Sequence, residues 1–333
     1  MTRVLVSGGT GFVGRFIVEH LLQRGYKVAV GGRSEPPAGF FTQPVTYVPL
    51  RLDPDADQVA AFDNVCYFVH AAFEHVEGKY RGGEGTDPEG FRRANVDGSV
   101  RLFEEARTAG VRRCVFLSSR AVYGETPSTI LHENTPTQPD TLYGVVKLAA
   151  EDALESMTAP DFVTTSLRVT GAYGPAGPGR THKWSGLFAD YLAGRPVQPR
   201  VGTEVYGDDI AASVRLMLEN DPAKVSGQVF NVSDVLTGNR DILSVLQVAT
   251  DCPNPLPPAA EAKEFKEMST EKLRALGWLP GGRERLAATI RELAGAGAQC
   301  NVSEPHTPVT APLLGFNPRT SPLPARGERG PGA

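Results

Sequence analysis

The sequence predicts an α/β fold, a doubly wound parallel sheet with helices on both faces, followed by a smaller lobe of mixed helices and strands. Three observations predict it. Short apolar runs alternate with helical patterns through the first half of the chain. One run, Val65-Cys66-Tyr67-Phe68-Val69, is apolar at every position, as expected of a strand buried on both faces. A glycine-rich stretch, Ser7-Gly8-Gly9-Thr10-Gly11-Phe12-Val13-Gly14, stands between the first apolar run and the first amphipathic one.

Residues 4–6 form the first predicted strand. Phe12, Phe16, Ile17, His20 and Leu21 then recur at helical spacing until about Gly25. Residues 28–30, 45–50 and 65–69 are the next strands. A single helix is predicted from about Pro88 to Ala109, carrying Phe91, Val96, Val100, Leu102, Phe103 and Ala106. Residues 114–117 follow as the fifth strand, a helix runs from about Tyr143 to Glu155, and residues 163–168 are the sixth strand. This β-α-β rhythm demands right-handed crossovers and a parallel sheet, whose ligands bind beyond the carboxyl ends of the strands. After Ala172 the pattern turns to helices, such as 210–218, and short strands. From about Gly295 prolines interrupt every element, which predicts an extended or disordered tail.

A net charge of -4 leaves no electrostatic footprint for nucleic acid or an anionic membrane. No apolar stretch approaches the ~20 residues that span a bilayer. The four cysteines are scattered, without metal-ligand spacing, so no disulfide framework and no metal site is expected, and the compartment is expected to be reducing and cytoplasmic.

Strand, glycine turn, helix is the setting in which glycines cradle a pyrophosphate. The missing Cβ atoms admit close approach, and the helix start presents free N–H groups to the anion. Gly8, Thr10, Gly11, Phe12, Val13 and Gly14 are therefore expected to bind a dinucleotide. The second strand ends Gly31-Gly32-Arg33. No acid stands there to hold a ribose 2′-hydroxyl, and Arg33 suits a 2′-phosphate, so NADP is favoured over NAD. Asp53, after the third strand, is placed to meet the adenine; the plainer reading is a turn aspartate.

Tyr143 and Lys147 lie four residues apart, on one face of a helix. An ammonium beside a phenol lowers the phenol's pKa from about 10 toward neutrality. Such a tyrosine can take a proton from an alcohol while hydride leaves for a nicotinamide. The fifth strand ends in Ser118-Ser119, so a serine hydroxyl is available to orient the substrate oxygen.

With these residues in place, the chain resembles the extended short-chain dehydrogenase/reductases, in particular the nucleotide-sugar epimerase/dehydratase group, over roughly residues 2 to 280. Gly8, Gly11 and Gly14 match the family's glycine motif. His70-Ala71-Ala72, Asn95-Val96-Asp97-Gly98, Tyr173-Gly174-Pro175, Asp208-Asp209-Ile210-Ala211, Phe230-Asn231-Val232 and Leu276-Gly277-Trp278 match later landmarks. The resemblance implies catalytic roles for Ser119, Tyr143 and Lys147, cofactor contacts from Ala71, Ala72 and Asn95, and a homodimer through helices near residues 102–109 and 149–154. It also implies a Rossmann domain over 1–171 with some later segments returning to it, a substrate lobe over 172–294 and the tail over 295–333.

Departures from the family pattern bear on the substrate. Arg120 and Ala121 stand where dehydratases carry acids. Gly202 falls where nucleotide-sugar enzymes carry a phosphate-binding arginine; Arg200 is the available substitute. Arg120, Tyr173, Arg180, His182, Lys183 and Trp184 are expected on the substrate side. The implied activity is epimerisation of a nucleotide-linked sugar by transient oxidation. The alternatives are an NADPH-dependent carbonyl reductase or alcohol dehydrogenase, and a non-catalytic NADP sensor.

Overall fold

The structure, a computed structural model, describes residues 2–76, 83–261 and 265–295. The first strands in chain order are β1 (Arg3–Ser7), β2 (Lys27–Gly32), β3 (Thr46–Pro49), β4 (Tyr67–His70), β5 (Arg113–Ser119) and β6 (Ile130–Leu131). They are followed by β7 (Val163–Val169), β8 (Gly171–Tyr173), β9 (Val201–Tyr206), β10 (Gln228–Val232), β11 (Val235–Gly238) and β12 (Glu267–Met268). The helices are α1 (Phe12–Gln23), α2 (Pro88–Arg92), α3 (Gly98–Thr108), α4 (Leu142–Ser156) and α5 (Ser185–Leu192). After them come α6 (Gly207–Glu219), α7 (Pro222–Val225), α8 (Asn239–Thr250), α9 (Glu271–Arg274) and α10 (Gly282–Gly295).

Seven parallel strands make the central sheet, in the order β10-β7-β5-β4-β1-β2-β3. The order reverses between β1 and β4, and that reversal opens a crevice at the carboxyl edge. Ile17 and Leu21 of α1 and Val214 and Met217 of α6 cover one face of the sheet, with Trp278 beside them. Leu102, Phe103 and Ala106 of α3 and Ala150 and Leu154 of α4 cover the other. With both faces covered, β1, β4 and β5 have no polar side to alternate with, which is why their centres read as apolar runs, whereas β7 carries buried Thr164, Thr165, Ser166 and Arg168.

The helix predicted over 88–109 is interrupted. A π-helical turn at Arg93–Asp97 separates α2 from α3. The amide of Asn95 donates to the carbonyls of Phe91 and Glu74 and accepts from the Glu74 N–H, and Ser99 Oγ donates to the Asn95 carbonyl. These bonds hold the wider turn against the segment after β4.

Beyond β7 the chain builds a second core. Strands β11-β9-β8 form a small sheet, and α5, α8 and α10 pack around Tyr173, Trp184, Phe188, Leu243 and Ile290. Strand β10 and helix α6 return to the main sheet. Cys66 and Cys114 are free thiols. The predicted tail beyond residue 295 lies outside the described residues. Among the described residues no helix is long and apolar enough to cross a membrane.

Candidate active site

The glycine stretch leaves β1 and enters α1 at the carboxyl edge, beside the crevice. Gly8 has φ +66°, and a Cβ there would stand 2.7 Å from the backbone nitrogen of Ala72. A Cβ on Gly14 would stand 2.8 Å from Gly9 Cα. Both positions therefore exclude side chains. Gly11 caps α1 without any side-chain hydrogen bond, so the N–H groups of Phe12, Val13 and Gly14 remain for an anion at the positive end of the helix. A cradle that a Cβ would fill, at an uncapped helix start, fits a pyrophosphate. Thr10 lies in the same turn, and Ala71 and Ala72 form the opposite wall.

Behind the cradle runs a buried polar chain with one consistent proton arrangement. Ser99 Oγ spends its proton on the Asn95 carbonyl, 2.7 Å away, so it accepts from His70 Nε2 at 3.0 Å. His70 Nδ1 is then an acceptor for Ser7 Oγ at 2.7 Å, and Ser7 Oγ accepts from Ala72 N–H at 3.3 Å. Burial holds the imidazole neutral, with its pKa down at about 3, and nearby Lys147 adds to the effect. Asn95 braces the backbone at Glu74. Sequence reading missed Ser7 and Ser99 because their partners come from three separate elements.

Ser119 ends β5 and caps the following turn, its Oγ accepting from Ala121 N–H at 3.2 Å. Thr141 caps α4 through Gly144 N–H at 3.1 Å, which sets Tyr143 and Lys147 in the first two turns. A Cβ on Gly144 would lie 2.5 Å from the Ala121 carbonyl, so α4 starts directly against the Ser119 turn. Lys147 is buried and donates to the Leu117 carbonyl at 2.7 Å. Its Nζ sits 4.5 Å from the centre of the Phe73 ring, and the Tyr143 ring meets the same phenyl edge-on at 5.1 Å. Burial drives the Lys147 ammonium down to about 7, against the opposing pull of Glu151. Glu151 is itself engaged by Arg168, whose Nη2 donates at 2.8 Å. Phe73 is a site residue that no motif announced.

The remaining expected residues separate into those at the crevice and those in packing. Arg33 is exposed and its Nη1 donates to both Glu74 carboxylate oxygens, at 3.0 and 3.3 Å. Asp53 accepts from Asp55 N–H at 3.1 Å, as a turn aspartate does. Tyr173 is fully buried and stacks on buried Trp184 at 5.3 Å, so both pack in the core of the second lobe. Arg120 donates to the Lys266 carbonyl and lies 4.8 Å over the Phe265 ring. His182 accepts from Trp184 N–H at 3.3 Å at the start of α5, and burial lowers its pKa. Arg180 and Arg200 are exposed loop residues. Gly202 has open space where a side chain would stand. No group of three or more His, Cys, Asp or Glu suited to a metal occurs among the described residues.

Comparison with known proteins points the same way. The model of the NAD dependent epimerase/dehydratase family matches residues 4–233. A UDP-glucose 4-epimerase of Streptomyces lividans is 34% identical over 165 residues, which cover 47% of this chain and 48% of that one. The Corynebacterium glutamicum UDP-glucose 4-epimerase is 28% identical over 318 residues, 84% of this chain and 91% of that one. The crystal structure of Thermus thermophilus UDP-glucose 4-epimerase in complex with NAD superposes with a TM-score of 0.67 at 28% identity, covering 89% of this chain and 100% of that one.

Proposed function

Because the chain belongs to the NAD dependent epimerase/dehydratase family, we propose that it epimerises a hydroxyl-bearing carbon of a nucleotide-linked sugar with a dinucleotide it keeps bound. The observation that carries this reading is the meeting of Tyr143 and Lys147 on Phe73, with their helix starting against the Ser119 turn, at the edge that also holds the glycine cradle. In this reading Gly8 to Gly14 hold the pyrophosphate and Lys147 the nicotinamide ribose. Ser119 donates its hydroxyl proton to the substrate oxygen. Tyr143 takes the proton of the substrate hydroxyl and returns it later, while Lys147 favours the phenolate. When bound, the nicotinamide supplies a reversible store for the hydride, so the cycle has no net oxidation. The names of the relatives support epimerisation over net reduction.

For the cofactor, the Arg33–Glu74 pair moves the reading from NADP to NAD. Glu74 balances the guanidinium charge and would stand beside any 2′-phosphate held by Arg33. The pair is exposed, so it is worth no more than about 1 kcal/mol, and the expected preference for NAD is modest, about fivefold at most.

Native mass spectrometry of the purified protein, followed by assay of UDP-glucose and UDP-galactose interconversion, tests the proposal. The expected result is retained NAD and turnover without added dinucleotide. In Tyr143→Phe, kcat should fall about 10²–10⁴-fold while NAD is still retained. Stoichiometric consumption of NADPH would instead establish a reductase, the reading that the open position at Gly202 favours. A fully active Tyr143→Phe enzyme would overturn the assigned chemistry.

A further inference from the structure

Lys183 and Glu204 form an ion pair that neither the motifs nor the catalytic convergence uses. Glu204 lies on β9, nine-tenths buried, with its Oε2 accepting from Lys183 Nζ. The pair has a definite address. Ser119 and Val169 are partners in the parallel register of β5 and β7. Two residues beyond Val169 the chain begins β8 at Gly171, whose partner on β9 is Glu204. A Cβ on Gly171 would stand 2.6 Å from Lys183 Nζ and 2.7 Å from Glu204 Oε2. The head groups therefore cover the first residue of β8, beyond the carboxyl edge of the sheet. Strand spacing and rise put them on the order of 10 Å from Ser119. Thr170 Oγ1, between Val169 and Gly171, is buried with no hydrogen-bond partner among the described residues.

We propose that Lys183 and Glu204 are the specificity pair of the substrate pocket, reading neutral hydroxyls of the sugar and rejecting a carboxylate in their place. The proposal rests on the nucleotide-sugar reading above. Its chemistry follows from the two head groups. An ammonium has three donors, and one is spent on Glu204. The carboxylate offers acceptors only. Together they present donors and acceptors with no net charge, which matches a hydroxyl, itself both donor and acceptor. A carboxylate on the sugar would meet Glu204 as a like charge. The side chain of Lys183 is 28% exposed, so its free donors remain accessible to a ligand. Burial raises the Glu204 pKa and Lys183 opposes that rise.

The test uses the full chain and two probes, UDP-glucose and its uronate counterpart UDP-glucuronic acid, with dissociation constants from calorimetry. Wild type should prefer the neutral sugar. Glu204→Gln leaves the ammonium uncompensated, so the affinity ratio of uronate to neutral sugar should rise about tenfold. Lys183→Met removes the cation, so the same ratio should fall at least threefold. Each ratio is internal to one protein, so a change in stability cancels, and either variant alone suffices if the other does not fold. Ratios equal to wild type in the folded variants would reduce the pair to a strap between the loop and β9 and overturn the proposal. Binding of neither probe by wild type would remove the nucleotide-sugar reading itself.

Discussion

Lys147 combines full burial with a required charge, and the two pull in opposite directions. An unfolded lysine holds its proton up to about 10.5, the buried one only to about 7. Between those values the unfolded chain binds the additional proton. Raising the pH through that window therefore stabilises the fold, and the stabilisation is lost as the pH falls through about 7. Lys147→Met has no such group. Urea titrations from pH 7 to pH 10 should show wild type gaining stability relative to the variant; parallel curves would mean that the ammonium is solvated. Residue type was legible here and location was not. Tyr143 and Lys147 announce themselves by spacing, whereas Tyr173 and Trp184 look like pocket aromatics and prove to stack in a core. Arg120 finds its acceptor 146 residues away, a pairing that no local pattern encodes.

At the level of elements, α10 is started by two carboxylates. Asp209 Oδ2 accepts from Gly281 N–H at 3.0 Å and Asp234 Oδ2 from Gly282 N–H at 2.8 Å. Burial lifts the Asp209 carboxyl from 3.8 to about 6, and Asp234 and Asp208 add like charge. Between those values the folded chain binds the additional proton, so stability from this group falls as pH rises through the window. Asp209→Asn keeps an acceptor for Gly281 without the charge. Its melting temperature should exceed wild type at pH 7 and equal it at pH 4; a loss at pH 7 that disappears at pH 4 would show that the carboxylate's charge is needed. Strands β1, β2, β4 and β5 could be read from the chain because two-sided burial leaves an apolar run at their centres. The π-helical turn could not, since it depends on Asn95 reaching Glu74 across the chain. The β11-β9-β8 sheet escaped for a similar reason: its strands are short and its partners lie far apart in sequence.

Across the whole molecule, Phe16 joins the cradle helix to the second lobe. A Cβ on Gly174 would stand 2.6 Å from its ring, and one on Gly207 2.5 Å. Tyr206 meets the ring edge-on at 5.7 Å, and Tyr206 in turn contacts Tyr173, which stacks on Trp184. Arg15, one residue earlier, donates to the Pro175 carbonyl at 2.8 Å. Phe16→Ala should cost about 3–5 kcal/mol, as expected for a buried phenylalanine, read as a lower urea midpoint. A variant as stable as wild type would show that the lobe is held elsewhere. The same packing sets a rule for recombining this enzyme with its relatives. A chimera that imports a foreign lobe must import the residue at position 16 as well, because Gly174 and Gly207 are hollowed to one ring. Exchange of the lobe alone would leave either a void or a collision at the foot of α1, and the borrowed specificity would arrive misaligned with the cradle.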